Sequence, residues 1–382
     1  AGARSGNGQS ENARLSADGK WVVFQSAATN LLSSGATSGF GIYLYDVEGR
    51  SLRLVGPGPI GTDISADGSV VLIGGKAYSR ATGQTRELVA ANKIGSFSTG
   101  VLSADGAYAV FGYASAVDGD VAGVSDGNNA VDIVLISTAT AARVLVSRTP
   151  AGGVGSKRSF GPRLSADGRY VAFSSEAVDL VSGDANAASD AFLFDRTDNS
   201  VRALSLNSAG TATGNAGSSL FDLSADGSVA LYSSSASDLV TGITEDTSLD
   251  IFVRNVTAGS NQLVSKKFDS DNPCTGGTKT GFGATGALSR DARYVNFRFD
   301  CQTLVSTTGR TPAFELYQQD LSTRTTQLVN GQDGGSEVIF KDDNQTAFPV
   351  SGDGRVVYFI TDSSPASAAV DGPVDDIFRF DS

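Results

Sequence analysis

Histidine and methionine are both absent from these 382 residues. Without His there is no Ser-His-Asp or Cys-His relay, and the usual zinc ligand sets are gone too. The two cysteines, Cys274 and Cys301, are by themselves too few for a structural zinc. Both fall within one repeat of the pattern described below. Two and only two Cys so placed suit one disulfide in an exported protein; a pair of buried thiols is the alternative. Charge is scarce at 18% of residues, with a net balance of −12. No Lys/Arg cluster offers a nucleic acid a basic footprint. The acidity suits cations or a basic partner and disfavours an anionic membrane surface. No apolar run reaches the roughly 18 residues of a membrane span, so no membrane insertion is expected. No glycine loop follows a strand and opens a helix, which leaves nucleotide binding without support. The first residues show no signal-peptide pattern. A start at Ala1 in a chain without Met is what a processed, mature protein is expected to show.

What the chain does have is glycine, 46 residues of it, and one phrase repeated seven times. The phrase first reads Leu15-Ser16-Ala17-Asp18-Gly19, followed by Trp21-Val22-Val23-Phe24. It returns at Ile64–Gly68, Leu102–Gly106, Leu164–Gly168 and Leu223–Gly227. A worn copy is Leu288-Ser289-Arg290-Asp291-Ala292, and the last is Val350-Ser351-Gly352-Asp353-Gly354. An Asp-Gly pair between β-rich runs signals a hairpin, because Gly accepts the positive φ of a tight turn.

Each repeat reads as four strands. Strand one ends in the Leu-Ser pair, and strand two follows the turn, as in Tyr170-Val171-Ala172-Phe173. Strand three alternates aromatic and aliphatic residues, as in Asp190–Asp195, and a short turn leads to strand four, Val201–Ser205. The second repeat is stripped down, with almost no loop between Ile73 and Tyr78, and no helix is expected. Four antiparallel strands, seven times, predict an all-β, seven-bladed β-propeller filling residues 1–382 as one domain, with blades starting near 11, 61, 99, 161, 220, 285 and 347. Radial closure removes most of the edges an open sheet of that size would expose. The last repeat supplies three strands, ending with Asp376–Phe380. Ser10 aligns with Ser159 and Gly6 with Gly155, so the N-terminal residues are a connection rather than the missing strand. An open edge at Asp376–Phe380, ready for strand addition by a partner, is the expectation.

The stretch Ser165–Phe173, with Asp190-Ala191-Phe192-Leu193-Phe194-Asp195, resembles the repeat of TolB-like propellers, the WD40-like PD40 blades of exported bacterial proteins. The resemblance covers residues 11 to 382. It implies the propeller fold and a periplasmic, cell-surface or extracellular location. The family's usual Ser-Pro-Asp-Gly has Ala in place of Pro here, and no second domain like TolB's is visible.

Alternating strand direction puts the tight turns at one end of each blade. The two-to-three loops and four-to-one connections then share the other end, and most of them are long. Variable loops on a rigid scaffold are where binding usually resides. Several of them are acidic: Asp184, Asn186 and Asp190 in one, Asp126, Asn128 and Asp132 in another, Asp246 and Asp250 in a third. Hard oxygen ligands at such spacing suit Ca²⁺. Equally, Asp and Asn make turn hydrogen bonds to backbone amides, and a structural bond to the blade would explain the Asp that recurs before strand three at Asp132, Asp190, Asp250 and Asp376. No pair of carboxylates stands out as catalytic. The expectation is a secreted or cell-surface, non-catalytic propeller that binds a protein or glycan through its long-loop end. A scaffold subunit of an envelope assembly is the alternative, and a His-free carbohydrate-active enzyme comes third.

Overall fold

The repeated phrase closes a hairpin by side-chain chemistry as much as by its glycine. In a computed structural model of the chain, the Ser165 hydroxyl donates to Asp167 Oδ1 at 2.7 Å. The same serine accepts the Tyr170 N–H at 2.9 Å, and Asp167 accepts the Arg169 N–H at 2.9 Å. Gly168, at φ +67°, donates its N–H to the Ser165 carbonyl. All three side-chain bonds recur in every copy, from Ser16 and Asp18 to Ser351 and Asp353. Even the worn copy keeps the turn, with Ala292 in the left-handed region at φ +58°. The serine hydroxyl and the following N–H hold the Asp18 and Asp353 carboxyls below their ordinary range.

The structure describes residues 6–33, 39–58, 62–94, 100–114, 121–184, 186–242, 248–274, 285–301, 303–306, 315–329, 350–361 and 376–381. These form seven antiparallel sheets, six of them four-stranded meanders in chain order. The fourth, for example, is Ser159–Leu164, Tyr170–Ser175, Asp190–Asp195 and Ser200–Ala203. The second is shortened as expected: Val70–Ile73 turns into Lys76–Ser79 through Gly74 and Gly75 alone. The one helical turn among the described residues is Ala91–Lys93. In the last sheet Val356–Thr361 pairs with Asp376–Asp381, and Val350 bridges Val357; the rest of the expected Ala347–Val350 strand lies outside the described residues. Ser10–Leu15 pairs with Trp21–Ser26 as the first strand of the first sheet, so this segment is not the outer strand of the last one.

The chain divides into two compact units, residues 1–180 with 194–201, and residues 181–193 with 202–382. In each, the core lies between adjacent sheets. Within the first, Val23, Ile42 and Leu44 of sheet one meet Val71, Ile73 and Tyr78 of sheet two. Leu72 and Leu88 of sheet two join Phe111 and Val134 of sheet three. Within the second, Leu231 and Ile251 of sheet five meet Val295, Phe297 and Tyr317 of sheet six. The inner strands therefore bury both faces, as Asp190–Asp195 does along its whole length, while outer strands such as Thr85–Glu87 are exposed.

Polar links run from sheet to sheet as well. Asp63 accepts the Leu102 N–H at 2.8 Å, and Asp222 accepts that of Leu288 at 2.9 Å. The hairpin turns bond to one another through their backbones: in the first unit Asp18 N to Ala66 O, Ala66 N to Ala104 O, and Ala104 N to Ala166 O. In the second, Ala225 N donates to Arg290 O and Arg290 N to Gly352 O. Two arginines cover the joints. Arg80 Nε donates to the Gly68 carbonyl while its guanidinium lies 4.3 Å from the Trp21 ring of the preceding sheet. Arg196 repeats this with Gly168 and Tyr108, again at 4.3 Å.

Candidate functional site at the long-loop end

Four blades share one joint at the end opposite the hairpin turns. The connection entering the blade carries a glycine, and the two-to-three loop carries a small residue followed three places later by leucine. A methyl group on Gly155 would lie 2.9 Å from Ala177 Cβ and 2.8 Å from Leu180 Cδ2. Gly214 meets Ala236 and Leu239 in the same way, at 2.8 Å each, and Gly6 meets Ala28 and Leu31 at 2.9 and 3.2 Å. Such distances leave no room for a side chain. The residue after each glycine donates its N–H into the loop. Ser156 N bonds Asp179 Oδ1 at 2.8 Å, Asn215 N bonds Asp238 Oδ1 at 3.0 Å, and Asn7 N bonds Asn30 Oδ1 at 2.8 Å.

The sixth blade makes this joint covalently. Cys274 stands where the others have glycine, and its N–H donates to Ser265 O at 3.0 Å just as Gly214 N donates to Ser205 O at 2.8 Å. Cys301 stands where the others have alanine, with Leu304 three residues on. The two form a disulfide with Cα atoms 6.2 Å apart.

The recurring Asp before strand three is anchored in the blade. Asp132, Asp190 and Asp250 are fully buried. Each accepts a serine hydroxyl from the end of strand four: Ser147 at 3.0 Å, Ser205 at 2.7 Å and Ser265 at 2.7 Å. Each serine in turn accepts the N–H of the residue after the Asp. Burial pushes the Asp132 and Asp190 carboxyls up to about 7, with Ser147 and Ser205 opposing the shift.

The acidic loops come together around these anchors. Asn186 Nδ2 donates to Asp190 Oδ2 at 2.9 Å and to the Gly214 carbonyl at 2.7 Å, and Asp184 Oδ1 accepts the Thr213 hydroxyl at 3.3 Å. In the third blade Asn128 Nδ2 donates to the Gly155 carbonyl at 2.6 Å, and Asp126 accepts the N–H groups of Asn128 and Asn129. Asn186 Oδ1 and Asn128 Oδ1, the oxygens a calcium ion would use, each accept a backbone N–H at 2.7 Å. Two carboxylates and an amide would leave the rest of a calcium shell to backbone carbonyls and water. Among the described residues no three acidic or cysteine side chains gather as a metal-binding group. Asp246 lies outside the described residues, and Asp250 is held by Ser265. Asp132, Asp190 and Asp250 each make the structural bond to the blade through a serine. The anchoring serines, and the Gly/Ala pairs beside them, are what a reading of single loops misses; stacking the repeats at Ser147, Ser205 and Ser265 brings them out.

No helix among the described residues is long and apolar enough to cross a membrane. No protein-family model matches the chain, and no curated protein does either. Solved structures do. An oligogalacturonate lyase in complex with manganese is 14% identical and has a TM-score of 0.54, over 96% of this chain and 87% of the lyase. The β-propeller domain of the Trilobed protease from Pyrococcus furiosus is 10% identical with a TM-score of 0.51, over 98% of this chain and 95% of that domain. TolB from Acinetobacter baumannii is 12% identical with a TM-score of 0.40, over 98% of this chain and 76% of TolB. The protein is an all-β, multi-bladed β-propeller.

Proposed function

We propose that the protein is an exported, non-catalytic binding module that presents the long-loop ends of its blades to a protein or glycan. One observation carries the reading. At that end the loops are fixed to each other by close Gly–Ala contacts, Asp and Asn bonds and a disulfide, which is the preorganisation a binding surface needs. The buried carboxyls there are engaged by serine hydroxyls rather than left to act as acid or base. The disulfide also supports an oxidising, extracytoplasmic location.

The test is a glycan-array screen of the full chain, paired with an assay for reducing ends on the same polysaccharides, oligogalacturonate first because of the lyase likeness. Saturable binding without product supports the module. Turnover would overturn it in favour of the enzyme. A stoichiometric partner that co-purifies while the array stays blank would favour the scaffold.

A further inference from the structure

The second blade lacks the loop that fills the joint of blades one, four, five and six, and a cavity lies beside its turn. Its two-to-three turn is only Gly74 and Gly75, so no Ala-x-Asp-Leu segment lies against the end of the first sheet's outer strand at Val55–Gly58. The hollow between them measures about 380 Å³. Val55, Ile73 and Val89 are otherwise almost fully buried and form its aliphatic walls together with Ile94, with no aromatic ring among the lining residues. Lys76 and Glu87, cross-strand partners, stand exposed at its mouth. A hollow of this size falls in the range of ligand pockets, which begin near 300 Å³.

The other blades show what fits. In blades four and five the filler is a short stretch of chain with a leucine in the hollow and an aspartate beside it, Ala177 to Leu180 and Ala236 to Leu239. We propose that the vacated joint of blade two takes the same kind of segment from a partner protein: an extended stretch pairing an aliphatic side chain with a carboxylate. The aliphatic group enters between Val55, Ile73 and Val89, and Lys76 receives the carboxylate. This inference names a partner chemistry for the binding role proposed above and rests on that reading.

The probe is the chain's own filler, the acetylated and amidated peptide Ala-Val-Asp-Leu-Val of residues 177–181, titrated against the intact protein by NMR or calorimetry. Saturable one-site binding is expected. Replacing the peptide's Leu by Asp, or its Asp by Asn, should weaken binding at least tenfold and several-fold respectively. Gly56→Val is chosen to fill the hollow; a Cβ there meets only Ile73, at an ordinary 3.5 Å, so the variant should fold and lose the peptide. Lys76→Glu should also lose it, at an exposed position that leaves folding alone. No binding, or equal binding by Gly56→Val and wild type, overturns the inference. Failure of the peptide to bind wild type, while a glycan or partner protein does bind it, would overturn this assignment alone and leave the binding module standing.

Discussion

The fifth and sixth blades build one joint by two means. In the fifth, Gly214 packs on Ala236 so closely that neither position tolerates added bulk. In the sixth the same two positions are Cys274 and Cys301, joined by a bond. The anchor beneath differs as well. Asp190 and Asp250 rely on serine hydroxyls, whereas Glu315 takes their place at the start of strand three in blade six and accepts the Tyr317 hydroxyl at 2.6 Å. That hydroxyl also reaches the Cys301 carbonyl at 2.7 Å. In blade six, which lacks the short Asp–Ser anchor, a covalent link holds the loop. A repeat protein can thus keep a geometry constant while exchanging the force that maintains it.

The largest effect should come from turning the sixth joint into the fifth. Cys274→Gly combined with Cys301→Ala should fold, but lose about 3.5 kcal/mol, the chain-entropy value for a separation of 27 residues. Thermal melting with and without reductant checks this: wild type should fall to the double variant on reduction, and the double variant should not move. Two free thiols in the unreduced native protein would contradict it. Next comes the reverse insult. Gly214→Val forces a side chain onto Ala236 and Leu239 and should cost about 2–3 kcal/mol in urea unfolding.

The third test is pH. Asp132 and Asp190 titrate near 7 when folded and near 4 when unfolded. Folding therefore takes up protons between these values, and the stability this gives is full below about pH 4 and lost as pH rises through 7. Wild type should melt higher at pH 5 than at pH 8. Asp190→Asn should flatten part of that slope, by on the order of 2 kcal/mol; an unchanged slope would mean that the carboxyl is ionised in its site. The smallest effect is at the hairpin turns. Ala104→Pro suits the turn geometry but deletes the N–H given to Ala166, so a loss of no more than about 1 kcal/mol is expected, partly offset by the stiffer unfolded chain.

Much of the fold was legible because its signals are local. A Ser-x-Asp-Gly turn carries its own hydrogen bonds within six residues, and strand three announces itself by its apolar run. The shortened second blade was legible for the same reason, and the Cys274–Cys301 bridge because the chain has two cysteines and no others. The joint was not. Gly155 and Ala177 lie 22 residues apart, as do Gly214 and Ala236 and also Gly6 and Ala28, but small residues at that distance carry no signal of contact until the repeats are superposed. The acidic loops were legible only as alternatives. Whether Asn186 serves a cation or a hydrogen bond depends on where its amide points, and that is set by the Gly214 carbonyl, 28 residues away in sequence.

The bonds between hairpin turns give the Ala of Ser-Ala-Asp-Gly a meaning. A proline there would have no N–H to give. With alanine, the turns of each unit join end to end, Asp18 to Ala66 to Ala104 to Ala166 in one and Ala225 to Arg290 to Gly352 in the other. The turns of Ala66, Ala104 and Arg290 are then both donor and acceptor, and within each unit consecutive blades share these backbone bonds. The energetics take the form of a one-dimensional nearest-neighbour chain. A defect in one turn weakens two interfaces at once, and order gained in one blade is passed to the next.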